Sequence, residues 1–110
     1  MNHQQKVLVS NSSGYISLCP HCNTAVIAFG TMLTTLPFSQ LSTVKTSVEE
    51  TLECIPRFDC PKAKQFTIRL RPDDLCCMVL NLRELEGLDS MIAQALLIHT
   101  AQSWLENAEQ

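Results

Sequence analysis

Two cysteines separated by a Pro-His pair, Cys19 and Cys22, are the residues of this chain best suited to chemistry. Thiolates at this spacing can bind one tetrahedral Zn²⁺, because a tight turn between them directs both sulfurs to the same side. Such a pair supplies half of the ligands of a structural zinc site. Cys54 and Cys60 are the candidates for the other half, although the five residues between them exceed the usual spacing. We therefore predict a zinc knuckle at the first pair, with idle or buried thiols as the alternative.

The same four residues, Cys19-Pro20-His21-Cys22, are similar to the active-site motif of thioredoxin-like disulfide oxidoreductases of the periplasmic oxidant type. In that family the first cysteine begins a helix, whose N-terminus lowers the pKa of the thiol. Here residues 23–29 follow, and their β-branched and aromatic side chains favour a strand. A thiol redox protein is therefore the first alternative function, on a resemblance that covers four residues.

The remaining cysteines and the histidines are predicted to be structural. Cys76 and Cys77 are adjacent in a predicted strand, so their side chains point to opposite faces and cannot share a metal; we expect small buried residues. His99 falls on an apolar helical stripe and is predicted to be a core or interface histidine. His21 is expected to face solvent, with a role as a substitute metal ligand as the alternative, and His3 belongs to the N-terminal tail. No nucleophile motif and no phosphate-binding glycine loop is present, so we predict no enzymatic activity.

The composition predicts a single folded domain that spans residues 1–110. Hydrophobic residues make up 45% of the chain and charged residues 17%, which is too apolar for a disordered chain. We predict a loosely ordered N-terminal segment over residues 1–13, where one short apolar run lies among polar residues. No run has the length of a signal peptide or a membrane helix, so we expect a cytoplasmic protein whose cysteines stay reduced.

The stretch Arg57–Arg71 is locally basic, although the chain as a whole has a net charge of −3. A nucleic-acid-binding domain normally carries a basic excess over a whole face, and a small patch is more often a solvated surface. A weak nucleic-acid binder is therefore the second alternative function. The basic residues of the stretch are Arg57, Lys62, Lys64, Arg69 and Arg71, against Asp59 alone.

The elements around the cysteines are predicted to be strands. Residues 15–18 and 24–29 are rich in β-branched and aromatic residues, which predicts a hairpin with the two cysteines at its tip. Residues 31–35 continue as a strand after Gly30. Further along, Phe66 and Ile68 alternate with polar residues, which predicts a strand with one wet face. Residues 75–80 form a short apolar run, and we expect a central strand covered on both faces.

Two helices complete the predicted fold. Apolar residues recur at steps of three and four over residues 38–52, which predicts a helix that starts at Pro37. Asn81 and Glu84 have the spacing of a capping box and predict a second helix to about residue 107, in which Gly87 makes a close packing contact. We expect an α+β two-layer sandwich of about four strands with two helices on one face, and a duplicated β-β-α unit as a further hypothesis. The predicted core is Phe66, Ile68, Leu70, Val79, Leu80, Leu41, Val48, Leu85, Leu88 and Ile92.

A Gly-Tyr strand, a C-x-x-C motif and an Ala-Phe-Gly strand follow one another here as Gly14, Tyr15, Cys19, Cys22, Ala28, Phe29 and Gly30. This arrangement resembles that of a family of short bacterial proteins built on a domain of unknown function. The start of the second helix, residues 80–85, is a second landmark, and the resemblance covers nearly the full chain. It implies a shared fold and no known activity, and Cys54 and Cys60 are not part of its pattern.

The apolar stripe of the second helix changes face along its length. Up to residue 96 it lies on one face and can cover the sheet, but beyond that point it lies on nearly the opposite face, which the same sheet cannot also cover. We therefore predict a small non-enzymatic interaction or regulatory domain that forms a homodimer with Trp104 as its anchor. The alternative is that the first helix covers part of the second stripe, or that the helix end overhangs and Trp104 folds back. The predicted interface is Leu97, Ala101, Trp104, Leu105 and Ala108.

Overall fold

The computed structural model describes residues 6–53, 66–70 and 77–108, with side chains to residue 105. The described elements belong to the α+β class that the sequence predicts, and each helix follows a hairpin. None of the described helices has both the length and the apolar character needed to cross a membrane. The elements are β1 (Lys6–Asn11), β2 (Gly14–Cys19), β3 (Thr24–Phe29), β4 (Met32–Pro37), α1 (Phe38–Glu53), β5 (Phe66–Arg69), β6 (Cys77–Leu80) and α2 (Leu82–Ala108).

Strands β1 to β4 form one antiparallel sheet, in which each strand pairs with its neighbour in sequence. The helix α2 packs against β1 and β2, and α1 packs against β3 and β4, so both helices cover the same face, as predicted. The register aligns the residues of that face from strand to strand, with Ile16 opposite Ile27 and Ala25 opposite Leu36. The buried side chains that the sheet contributes to the core include Ile16, Leu18, Ala25, Ile27, Phe29 and Leu36.

Residues 6–11, expected to belong to a loosely ordered segment, form the edge strand β1. An irregularity in the pairing with β2 between Val7 and Val9 allows Leu8 and Val9 to be buried side by side. Such a bulge breaks the alternation of inner and outer side chains. The sequence therefore lacks the period-2 signal that would have predicted this strand. Residues 1–5 lie outside the described part of the chain.

Strands β5 and β6 pair with each other and form a separate two-stranded sheet. Phe66 and Ile68 are buried, as predicted, and Thr67 between them is exposed. In β6, however, Met78 and Leu80 are buried while Val79 is 55% exposed. The prediction of Val79 as a core residue is wrong, because a two-stranded sheet packed on α1 and α2 buries only one of its faces. The other predicted core residues are buried: Leu41, Val48, Phe66, Ile68, Leu70, Leu80, Leu85, Leu88 and Ile92.

The helix α1 begins at Phe38, one residue later than predicted, because Pro37 closes β4. Its many hydroxyl residues are poor helix formers, but the Thr51 hydroxyl donates to the Ser47 carbonyl oxygen at 2.8 Å. A bond of this kind satisfies the side chain within the helix. The stability of α1 must then come mainly from tertiary packing. The side chains that α1 buries are Leu41, Val44 and Val48.

The N-terminus of α2 carries the predicted capping box. The Asn81 side-chain oxygen accepts from the Glu84 N–H at 2.8 Å, and the Glu84 carboxylate accepts from the Asn81 N–H at 3.0 Å. Gly87, one turn further on, differs from the expectation of a close contact. A Cβ at this position would lie 3.9 Å from the Phe29 ring, an ordinary van der Waals distance, so the helix has room for a methyl group there.

Lys45 links the two helices. Its ammonium donates to the Asp89 carboxylate at 2.8 Å and also pairs with Glu49, one turn along α1. Burial lowers the pKa of Lys45, but hydrogen bonds to Asp89 and Glu49 outweigh this effect, so the pKa is raised above its ordinary value. Asp89 is the last charged residue of the chain before Glu106.

Gly14 is required by the close approach of β2 to β3. A Cβ on this residue would lie 1.8 Å from the Ala28 carbonyl oxygen, which no side chain could avoid without moving the backbone. The preceding turn is fixed by Asn11, whose side-chain oxygen accepts from the Ser13 N–H at 2.8 Å and from the Gly14 N–H at 3.2 Å. The Gly30 N–H donates to the Ser13 carbonyl oxygen at 2.9 Å and ties this turn to the next hairpin.

Candidate functional site

The turn between β2 and β3 carries Cys19 and Cys22, so the predicted hairpin with the cysteines at its tip is confirmed. Cys19 is the last residue of β2 and pairs with Thr24, the first residue of β3. Residues 20–23 form the turn. The four-residue connection therefore brings two thiols together at the end of a rigid two-stranded unit.

Asn23 gives the turn its shape. It has a φ of 53°, in the left-handed region that asparagine tolerates better than most residues. Its carbonyl oxygen accepts from the Phe38 N–H at 2.9 Å. The turn is thereby attached to the first residue of α1, which limits its movement relative to the helical layer.

The two thiols differ in their environment. Cys19 is buried, on the face of β2 opposite to Leu18 and therefore away from α2, whereas Cys22 is exposed. The pKa of the Cys22 thiol is lowered, first by a hydrogen bond from the Cys19 thiol and then by hydrogen bonds from the Thr24 side chain and backbone N–H. The Thr24 hydroxyl donates to the Cys22 carbonyl oxygen at 3.2 Å. The lowered pKa favours the thiolate form of Cys22.

This arrangement of two thiols allows two kinds of chemistry. A cation can bind both sulfurs at once, or the sulfurs can form a disulfide, because both cysteines lie at the tip of one hairpin, three positions apart. Among the described residues, no group of three His, Cys, Asp or Glu side chains could hold a metal ion. Cys54 and Cys60, the predicted second pair of ligands, lie outside the described residues.

A cavity of about 160 Å³ lies on the other side of the hairpin, between the turn and α2. His99 lines it and packs against Phe38 with ring centroids 4.2 Å apart. His99 is half-buried on the inner side of α2, which confirms that it belongs to the packed interior; His21 is exposed, as predicted. The other residues around this cavity are Lys6, Leu18, Pro20, Asn23, Gln102 and Ser103.

Two other sets of predicted residues lie away from the turn. Cys77 in β6 is exposed, so the prediction of a buried thiol is wrong there, for the same reason as at Val79; Cys76 lies outside the described residues. Of the basic stretch, Arg69 is described and is exposed in β5. The other basic residues of that stretch, Arg57, Lys62, Lys64 and Arg71, lie outside the described part.

The predicted interface residues on α2 face solvent. Leu97 is 69% exposed, Trp104 is 72% exposed, and Ala101 and Leu105 are also exposed. Within the described part of the chain, Trp104 does not fold back and α1 does not cover this stripe, so the end of α2 overhangs those residues. Ala108 belongs to α2, but its side chain is outside the described part.

Sequence reasoning missed Asn23 and Thr24, the two residues that complete the turn. An asparagine directly after C-x-x-C could have indicated a left-handed residue, since asparagine adopts this conformation readily. The hydrogen bonds from Thr24 to Cys22 had no comparable signal. They depend on where β3 begins and not on residue type alone.

Comparisons of the chain with models of protein families, with curated proteins and with solved structures found no match. The resemblance to short bacterial proteins stays a prediction.

Proposed function

We propose that this chain is a small non-enzymatic interaction or regulatory domain whose β2–β3 hairpin carries a structural Zn²⁺ site at Cys19 and Cys22. The observation that supports the proposal is the placement of both cysteines at one hairpin tip, with Cys19 at the end of β2 and Cys22 in the turn that follows. Zinc binds cysteine as thiolate, and donors around a sulfur stabilise that form. The metal would hold together a hairpin that borders both helices. A reducing compartment such as the cytoplasm would keep both thiols available to it.

Cys54 and Cys60 are the proposed source of the remaining ligands. We therefore expect Cys54→Ser and Cys60→Ser each to weaken zinc binding.

Elemental analysis of protein purified under reducing conditions, without added metal, tests the zinc site. We expect about one zinc ion per chain, and loss of the metal with similar destabilisation in Cys19→Ser and Cys22→Ser, since either change opens the site. Cys77→Ser is the matched control, because Cys77 is an exposed cysteine on another strand. A metal-free wild type that is as stable as both serine variants would exclude the zinc site.

A dithiol redox function is the second candidate, and the exposure of Cys22 beside the buried Cys19 favours it. In this reaction the Cys22 thiolate attacks a disulfide substrate, and one substrate sulfur leaves as a thiolate. The Cys19 thiol loses its proton and displaces the second substrate sulfur, which forms the Cys19–Cys22 disulfide. The substrate gains two electrons and two protons, and the protein loses them.

Oxidised glutathione is a suitable probe for this second candidate. A redox dithiol would give an intramolecular disulfide in the wild type and a trapped mixed disulfide at Cys22 in Cys19→Ser. Bound zinc holds both thiolates and slows the reaction. The two functions are therefore separated by measuring the rate of disulfide formation before and after treatment with a chelator. Redox chemistry is favoured if the purified protein contains no zinc and the chelator leaves this rate unchanged.

A further inference from the structure

Beyond Leu96, the inner face of α2 is polar and its outer face is apolar, the reverse of the usual arrangement. The positions that continue the core-facing side of the helix are His99, Gln102 and Ser103, which are half-buried and polar. The outer side carries large apolar side chains instead. Seven large apolar side chains are exposed among the described residues, and four of them, Leu97, Ile98, Trp104 and Leu105, lie on this short part of α2. We call residues 97–105 the α2 overhang.

Such clustering differs from the scattered apolar residues of an ordinary surface. Single exposed leucines are common, whereas several aligned along one helix form a contiguous patch that usually marks an interaction site. The other three exposed apolar residues, Val7, Leu33 and Val79, lie on three different strands.

The spacing of the overhang residues matches one side of a helix pair. Leu97, Ala101 and Trp104 are separated by steps of four and three residues, the spacing of d and a positions in a heptad. The small side chain of Ala101 lets a second helix approach closely between the two larger residues. A helix packed on this seam would also contact Leu105, which follows Trp104 on the same side.

Charge distinguishes between the partners that could cover this seam. No Asp, Glu, Lys or Arg occurs from Ser90 to Leu105, so the overhang offers no counter-charge to a nucleic acid, an anionic membrane or a charged peptide. An uncharged apolar surface is instead complementary to another of the same kind. A second copy of the chain supplies one, and a two-fold axis through the seam brings the same patch of both copies into contact and closes the assembly.

We infer that two copies of this chain associate through their α2 overhangs, with Trp104 of each copy buried at the contact. The inference names the partner of the proposed interaction domain and does not depend on metal at Cys19 and Cys22. A contact made by about three turns of one helix is smaller than the roughly 800 Å² per partner of a standard stable interface. The dimer is therefore expected to be weak, with a dissociation constant in the micromolar range.

Two measurements on the whole protein test this inference. Sedimentation equilibrium between about 5 and 500 µM should give a monomer–dimer transition for the wild type, and Trp104 fluorescence should shift to shorter wavelength over the same range. Trp104 is the only tryptophan of the chain, so its emission reports on the overhang alone. Leu97→Glu and Trp104→Glu should each raise the dissociation constant at least tenfold, about 1.4 kcal/mol or more.

Leu33→Glu is the matched control, since Leu33 is 63% exposed on β4 and Leu97 is 69% exposed on α2. The control should dimerise as the wild type does. A wild type that stays monomeric at 500 µM with unchanged emission would overturn the inference, as would equal loss of the dimer in Leu33→Glu. A blue shift on neutral phosphatidylcholine vesicles, without dimerisation in solution, would assign the overhang to a membrane surface instead.

The Cys19→Ser variant separates this inference from the zinc proposal. Its dimer should persist, because the overhang contact uses no residue of the turn. If Cys19→Ser abolished dimerisation while Leu97→Glu left it intact, the contact would lie at the turn and the α2 overhang would be excluded. Loss of zinc with an intact dimer would leave this inference in place.

Discussion

From Leu82 to Leu96, α2 lies on the sheet and buries its apolar side chains, whereas in the overhang the apolar side chains face solvent and the polar ones face inward. Both halves belong to one continuous helix. The first half buries Leu85, Leu88, Met91, Ile92 and Ala95, which contact the sheet and α1. The second half also carries large apolar residues, but no surface of its own chain, within the described residues, covers them.

This contrast separates helix formation from helix burial. Backbone hydrogen bonds and caps act locally and carry the helix through both halves without interruption. Burial depends on what lies beside each half. Because the two apolar stripes point in nearly opposite directions, the helix as a whole is only weakly amphipathic, and only the two halves taken separately reveal its organisation.

The largest expected difference between the halves comes from truncating one leucine in each. Leu88 is fully buried, so Leu88→Ala should lower the free energy of unfolding by about 2–5 kcal/mol through lost packing and a cavity. Leu97→Ala removes the same atoms from an exposed site and should change it by less than about 0.5 kcal/mol. Urea denaturation at low micromolar concentration, where the protein is monomeric, measures both. Equal decreases in the free energy of unfolding for the two variants would mean that the overhang packs against its own chain.

The N-terminal cap should matter more than a comparable bond in the overhang. Asn81→Ala removes the side-chain acceptor of the Glu84 N–H and leaves only the bond from the N–H of residue 81 to the Glu84 carboxylate, so it should cost about 0.5–2 kcal/mol of stability. Thr100, whose hydroxyl donates to the Leu96 carbonyl oxygen, is the control, and Thr100→Ala should have an effect within about 0.5 kcal/mol. Thermal unfolding followed by circular dichroism compares them. A neutral Asn81→Ala would show that tertiary packing alone positions the start of α2.

Gly87 offers a test in the opposite direction. The helix has room for a methyl group there, so Gly87→Ala should raise the free energy of unfolding by about 0.4–1 kcal/mol, because alanine loses less backbone entropy and favours the helix. The Gly14→Ala variant is the contrasting glycine change and should fold poorly, since its Cβ would overlap the Ala28 carbonyl group. A destabilised Gly87→Ala would reveal tighter packing against Phe29 than the 3.9 Å separation implies.

The smallest effect concerns the ion pair just before the overhang. Asp89→Asn should cost about 0.2–1 kcal/mol at neutral pH, since the Lys45 and Asp89 side chains are only partly exposed, at 17% and 27%. The folded state raises the pKa of Lys45, so the stabilisation from this ion pair is complete below the ordinary pKa of 10.5 and is lost as pH rises through the pKa of the folded state. The difference in free energy of unfolding between the wild type and Asp89→Asn should therefore decrease as pH rises above 10.5. A difference that stays constant from pH 7 to 11 would contradict this origin.

Several elements could be predicted because their signals are local. The capping box of Asn81 and Glu84 marked the start of α2, and the strand residues around Cys19 and Cys22 marked the hairpin. Other features lacked such signals. The bulge near Val9 hid β1, and the short apolar run before Leu80 gave no indication that one of its faces is exposed, because periodicity over four residues cannot separate a central strand from an edge strand.

The amino-acid sequence by itself determined the helices, the hairpin at the two cysteines and the change of face along α2, because periodicity, caps and turn residues act within a few positions of each other. Only the tertiary structure decided which of the two thiols is exposed and which salt bridge Lys45 makes across the helices. These depend on which surfaces lie side by side in three dimensions. Residues as far apart as Lys45 and Asp89 meet only after the layers have packed, so no local pattern could encode their contact.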